Sequence, residues 1–309
     1  MLEFAVVLLR LAQYVGAMLL LGVPLFFAFR MPTSDAAVER WPRKTLLIAA
    51  AVTAAASLAA LVLQTAVMAG SMAEALKPAS LAYMAFDMEI GRAFVARALV
   101  AALAGVLLLV LRPGRATWID LTVLGLMVCA SLAWTGHGAA TEGVPGFVHL
   151  GADIIHAAAA AMWLGALAAL GLFLAIPHGD PERDRLTHDA LHGFAGMGTL
   201  AVGLLVATGL VNTWFLVGPD RLCALLTTPY GLLLSAKLTV FVGMLALAAS
   251  NRFVLTPCLH RSLEDESQKP SAIRALRRSL VLETALAVLL LGLVAVMGTL
   301  APPAAMMMM

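Results

Sequence analysis

Long apolar runs alternate along this chain with short breaks in which charged residues, glycine and proline collect. Eight such runs fall at about residues 4–29, 46–69, 94–111, 116–136, 150–176, 193–216, 231–255 and 280–300. About 20 apolar residues are enough for a helix to cross the hydrocarbon core. Inside a bilayer every backbone N–H and C=O must be satisfied internally, which leaves helices or closed barrels. A run such as Leu99 to Leu111 has none of the period-two alternation of a barrel strand. The pattern therefore predicts an all-α fold, a polytopic membrane helical bundle of about eight transmembrane helices, with residues 1–309 as a single integral membrane domain. No fixed-period repeat and no flexible linker divides it. Met1, Leu2 and Glu3 lack a basic n-region and the first run is long for a signal peptide, so the first span is expected to stay.

Composition excludes the soluble classes. The chain is 62% hydrophobic and 12% charged, with a mean hydropathy of +0.95, whereas soluble domains are about 25% charged. With a net charge of +2 and 6% aromatic residues, neither a nucleic-acid surface nor a base-stacking platform is indicated. Cys129, Cys223 and Cys258 form no CxxC, so a disulfide framework or zinc ribbon has no basis. No nucleophile elbow, P-loop or HExxH occurs, and the expected function is not enzymatic.

Charge in the loops predicts the orientation. The loops after spans one, three, five and seven hold Arg30, Arg40, Arg43, Lys44, Arg112, Arg115, Arg183, Arg185, Arg252, Arg261, Lys269, Arg274, Arg277 and Arg278. The opposite set holds only Lys77, Arg92 and Arg221. The positive-inside rule then places both termini in the periplasm.

Polar side chains within spans are costly and mark function by default. They are Arg10, Gln13, Gln64, Arg97, Asp153, His156, Asn212, Lys237 and Glu283. All but Glu283 fall in the half of the bundle predicted to be outer. Snorkelling and interhelical hydrogen bonding are the structural alternatives for each.

The most specific constellation is FVHLGADIIHAAAAAMWLGAL in span five. Asp153 is four residues after His149 and three before His156, so all three share one helix face, which Trp163 continues. Imidazole suits copper, zinc, iron and nickel, and a carboxylate ligates or orients a histidine. His137, in TGHGAATEG across a short loop, is a candidate third imidazole. Axial ligation of a haem is an alternative, and so is a buried Asp153–His156 pair that only fixes packing. His178, His188, His192 and His260 read as solvated juxtamembrane residues. Among the 16 methionines, Met18, Met127, Met162 and Met244 read as core fillers. Met72, Met84, Met88 and the tail Met306, Met307, Met308 and Met309 are expected at water, where thioethers suit Cu(I).

The stretches LRLAQYVGAMLLLG, GRAFVAR, TGHGAA, ADIIHAAAAAMWLGAL, ATGLVNTW, TPYGLLLSAKL to ASNR, RRSLVLETAL and GTLAP span nearly the whole chain. On these the chain resembles the copper resistance protein D (CopD) family of bacterial inner-membrane proteins. The resemblance implies a multi-pass protein of the inner (plasma) membrane that captures copper, as Cu(I) or Cu(II), at the periplasmic face and moves it inward. It implies a periplasmic copper-binding protein of CopC type as partner. It points to His137, His149, Asp153 and His156 as copper-handling groups and to Arg97 and Lys237 as family-like intramembrane cations. Gln13 departs from the pattern, standing where many members carry histidine. A haem-binding membrane redox protein, with propionates near Arg10, Arg97 or Lys237, and a non-transporting anchor or sensor for a periplasmic copper protein are the alternative functions.

Overall fold

The structure, a computed structural model, describes residues 2–30, 36–112, 114–136, 138, 141, 143–173, 181–262 and 269–305. Within these ranges the side chains of residues 2, 30, 36–41, 172, 181–193, 195, 262 and 269 are not described. The described residues form helices and short connections: α1 (Leu2–Arg30), α2 (Ala36–Ala69), α3 (Met72–Ala75), α4 (Pro78–Ala82), α5 (Glu89–Val110), α6 (Arg115–Ser131), α7 (Gly143–Phe173), α8 (Pro181–Leu216), α9 (Ala224–Thr227), α10 (Pro229–Ser250), α11 (Thr256–Ser262) and α12 (Lys269–Met297). Eight of these, α1, α2, α5, α6, α7, α8, α10 and α12, carry the segments long and apolar enough to cross a membrane. Large apolar side chains such as Leu99, Leu109, Leu210 and Val242 are exposed on the helix flanks. A bilayer, rather than water, is the solvent that such a surface fits.

Several ends differ from the sequence expectation. The fifth span begins at Gly143, whose φ of +72° suits glycine. His149 therefore lies in the second turn of the helix, not ahead of it. The third span begins at Glu89, and the seventh continues past α10 through a π-helical turn, Asn251–Leu255, into α11.

Helix α1 is the centre of the bundle, packing on α2, α6, α7 and α12. Its glycines explain why. A Cβ on Gly22 would come within 2.7 Å of the Gly165 Cα on α7, and a Cβ on Gly125 of α6 would come within 2.6 Å of Leu20 and Leu21. In lipid the hydrophobic effect does not drive helices together, so close approach of small residues is what earns packing energy. The buried core, including Ala17, Val23, Phe26, Leu121, Ala161 and Leu167, grows around these crossings.

Eight crossings put both termini at one end, here called the terminal end. The opposite, arginine-rich loops define the basic end. At the terminal end Ala304 N–H donates to Leu216 O at 3.1 Å. Arg221 Nη1 donates to Pro303 O at 2.8 Å.

One expectation fails between α2 and α5. Met84 is not at water: it is 2% exposed, because α3, α4 and the π turn Tyr83–Asp87 fold back and insert it against Leu61 and Phe94. Met88 is half-buried against the same cluster, and only Met72 is exposed.

Candidate functional site

Two polar groups of side chains lie inside the apolar bundle, one in each half, and the inward face of α7 touches both. In the terminal half the first is a knot around Arg97, which is fully buried. Its Nε donates to Ser131 Oγ at 2.9 Å, and Nη2 donates to Ser131 O at 2.7 Å and Thr135 Oγ1 at 3.0 Å. Nη1 donates to Gln13 Oε1. The Gln13 amide in turn donates to Ala56 O at 3.1 Å, and the Phe94 ring lies 5.5 Å from the guanidinium carbon. The knot ties α1, α2, α5 and α6 together through neutral acceptors only. Arg97 is thus held by Gln13, two hydroxyls and a backbone carbonyl, and Gln13 by Arg97 and backbone, an arrangement that ties helices together.

Beside the knot runs the predicted stripe on α7, and it forms the seam with α8. His149 stacks on Phe215, ring centroids 4.8 Å apart and planes 10° from parallel. Asn212 Nδ2 donates to Asp153 Oδ1 at 3.3 Å. His156 Nδ1 lies 2.9 Å from Thr208 Oγ1. Each rung descends α7 as it climbs α8, which is the register of two antiparallel neighbours. Rungs three or four residues apart are about 4.5 to 6 Å apart along the axis. The three residues accordingly share a face but not a single point, and no group of three or more His, Cys, Asp or Glu converges among the described residues.

The hydrogen bonds assign the tautomer of His156. The Thr208 hydroxyl gives its one proton to Leu204 O at 2.5 Å. It can then only accept from His156, so Nδ1 carries the imidazole proton and Nε2 keeps its lone pair. Fixing a histidine through its other nitrogen is how proteins present an imidazole to a metal. Asp153 spends Oδ1 on Asn212. Its Oδ2 faces Gly138, where a Cβ would come within 2.7 Å, so only glycine leaves that oxygen room. His149 is held differently: it is 2% exposed and its Nδ1 lies 2.8 Å from Thr141 Oγ1.

Titratable groups surround Asp153. Lys237 of α10 acts on it electrostatically across a gap too wide for a direct ion pair. Tyr14, Tyr230 and Cys129 also lie within its field. Arg10 interacts with Tyr14, lies against Gly298, and has a buried Nη1 without a hydrogen-bond partner.

In the basic half, Glu283 of α12 is 1% exposed. Its Oε1 accepts from Trp163 Nε1 and its Oε2 from Asn251 Nδ2, both at 2.8 Å. Trp163 is thus the end of the α7 stripe, as the spacing predicts.

The structure brings His149, Asp153, His156, Asn212, Lys237 and Arg10 into the terminal half and sets Glu283 apart. His137 and Met306 to Met309 lie outside the described residues, although Gly138, next to His137 in the chain, touches Asp153. Sequence reasoning missed Thr208, Thr141, Tyr14, Tyr230 and Asn251. Thr208 had a signal, standing four residues before Asn212 and so on the same face of α8.

Comparison with known proteins settles the family. Over 95% of its own length and 95% of the other's, the chain is 35% identical to copper resistance protein D of Pseudomonas syringae pv. tomato. The chain belongs to the copper resistance protein D family. Residues 1–147 match the family described as copper resistance protein D-like, N-terminal domain, and residues 188–297 match copper resistance protein D. It is also 34% identical, over 40% of this chain and 22% of the other, to copper transport protein CutJ of Bacillus subtilis. It is 30% identical, over 55% of each, to inner membrane protein YebZ of Escherichia coli. No solved structure matches the chain. This is a multi-pass membrane protein of a copper resistance and transport family.

Proposed function

We propose that this protein captures copper at the periplasmic face of the bacterial inner membrane and carries it inward, receiving it from a periplasmic copper-binding protein of CopC type. The terminal end is the periplasmic one, as the arginine-rich loops of the other end favour. Copper is cargo. It enters at the α7/α8 seam, where His156 Nε2 and Asp153 Oδ2 are the unspent donors; His137, which precedes Gly138 in the chain, is the candidate third ligand on sequence grounds.

One observation carries this reading: Thr208 fixes His156 with its Nε2 lone pair bare, in a chain whose relatives are named for copper resistance and copper transport. The Arg97 knot strengthens it, because that cation is engaged by neutral acceptors and is not free to line the copper path.

Metal analysis and a visible spectrum on detergent-purified protein, wild type beside His156→Ala, test the capture step, and copper uptake into proteoliposomes tests the flux. Near-stoichiometric copper that falls away in the variant, with uptake lost in parallel, is the expected result. Equal copper in both proteins at equal abundance would sink the site assignment. A Soret band lost on mutation would make this a haem protein instead.

A further inference from the structure

The function proposed above uses nothing in the basic half, where the fold has built a second polar site. Glu283 is a buried carboxyl with no cationic partner among the described residues; its two neighbours, Trp163 and Asn251, donate one N–H to each oxygen. Three further features converge on it.

The first is access. A cavity of about 730 Å³ reaches both Glu283 and Asn251, and its rim carries the exposed Arg252 and His260 of the basic end. Its walls are otherwise mostly apolar, and among the described residues that line it Glu283 is the one acidic group. The second is backbone. Asn251 opens the π-helical turn Asn251–Leu255 inside the seventh span, a local widening that is frequent at functional sites. That turn aims the amide at Glu283. The third is unspent hydrogen-bonding capacity. Asn251 Oδ1 is buried without a partner, and so is Ser279 Oγ, one turn from Glu283 on the same face of α12.

An amide beside a carboxyl can serve both of its protonation states. With Glu283 ionised, Asn251 Nδ2 donates to Oε2, as observed. With Glu283 protonated, a half-turn of the amide brings the idle Oδ1 round to accept from the Oε2 hydroxyl. Trp163 keeps donating to Oε1 in either state.

We propose that Glu283 is a proton-exchange group. It takes a proton from water in the cavity and returns it there, with Asn251 as the reversible hydrogen-bond partner. It thereby couples proton movement on the basic side to copper passage. The coupling clause rests on the transport reading; the exchange does not. The other groups facing Glu283 are few. Arg252, bonded to Thr199 of α8, and His260 of α11 stand at the rim, α7 offers only Trp163, and Arg274, Arg277 and Arg278 of α12 are exposed. Lys237, higher on α10, faces Asp153 instead.

Infrared difference spectra of the full chain in lipid, recorded across a pH change, read the exchange without needing flux. Among the protonated-carboxyl C=O bands, one should be present in the wild type, missing from Glu283→Gln, which keeps size and shape, and shifted in Asn251→Ala. In proteoliposomes, wild-type copper uptake should depend on internal pH, and Glu283→Gln should lose that dependence. Carboxyl bands that are identical in the wild type and Glu283→Gln overturn the exchange. A lost band with unchanged pH dependence of uptake overturns the coupling. Wild-type vesicles that take up no copper while the band behaves as expected would refute the transport reading and leave the proton site standing.

Discussion

Replacing Thr208 by valine tests the tautomer argument at its weakest joint. Valine keeps the branched shape, so contact across the seam persists, but the hydroxyl that accepts from His156 Nδ1 at 2.9 Å is gone. Leu204 O loses only the extra hydroxyl proton it receives at 2.5 Å and keeps its helical N–H. A buried Nδ1–H without an acceptor costs about 1–3 kcal/mol. The ring escapes that cost by moving its proton to Nε2, the atom needed for copper. Copper binding must then reverse the shift, so affinity should fall by the same 1–3 kcal/mol, roughly 5- to 150-fold. That brackets the 10- to 100-fold typical of losing a residue that orients a metal-binding histidine. Competition against a chromophoric copper chelator, in nanodiscs, measures it. Thr208→Ser keeps the hydroxyl and should bind close to wild type. Wild-type affinity in Thr208→Val, beside a loss in His156→Ala, would refute the reasoning: copper would then be held through Nδ1 or by a ring whose tautomer Thr208 does not fix.

Other consequences are shorter to state. Arg97→Met strands Gln13 Oε1 and Ser131 O; at about 1 kcal/mol or more for each buried acceptor, unfolding in a denaturing-detergent titration should come about 1–4 kcal/mol earlier, with copper affinity unchanged. Met84→Ala opens a void under the α2–α5 connection and should cost about 2 kcal/mol or more, whereas Met72→Ala at an exposed site should fall within about 0.5 kcal/mol of wild type in the same titration. Glu142→Cys in a cysteine-free background should label with an impermeant maleimide from the periplasm; labelling only from the cytoplasm would invert the orientation.

Much of this was legible in the sequence because the bilayer is a severe solvent. Length and hydropathy alone locate eight spans, and helical spacing alone puts His149, Asp153, His156 and Trp163 on one face. The rest depended on what each face meets. Alternating spans make α7 and α8 antiparallel, but spacing cannot say that the stripe faces α8 or in which register, so its pairing with Phe215, Asn212 and Thr208 was not legible, nor was the conversion of one stripe into three separate rungs. Met84 was misplaced because a short polar connection reads as water-exposed, while the chain there doubles back and uses its own methionine as a plug. The partners of Arg97 were hidden for a similar reason: its four acceptors come from α1, from α6 and from the turn after α6, and three of them are backbone or hydroxyl oxygens with no signature of their own.

A cation repels a copper ion, and the intramembrane cations Arg97 and Lys237 bear on the proposed copper path unequally. Arg97 is held by Gln13, Ser131 and Thr135 within the knot. Lys237 is different: its field reaches Asp153, but no direct pair forms. Two unit charges beyond direct contact still interact by about 1–3 kcal/mol at an effective dielectric of about 20, so an ion held by Asp153 and His156 must register this lysine. Such a charge weakens the resting complex and hastens release, as a carrier needs and a storage site does not. Lys237→Met should therefore tighten copper binding by about tenfold or more while slowing uptake in proteoliposomes. Weaker binding in that variant would mean that Lys237 organises Asp153 rather than opposing the ion. Unchanged binding would place copper away from Asp153, and the seam would lose its claim to be the entry site.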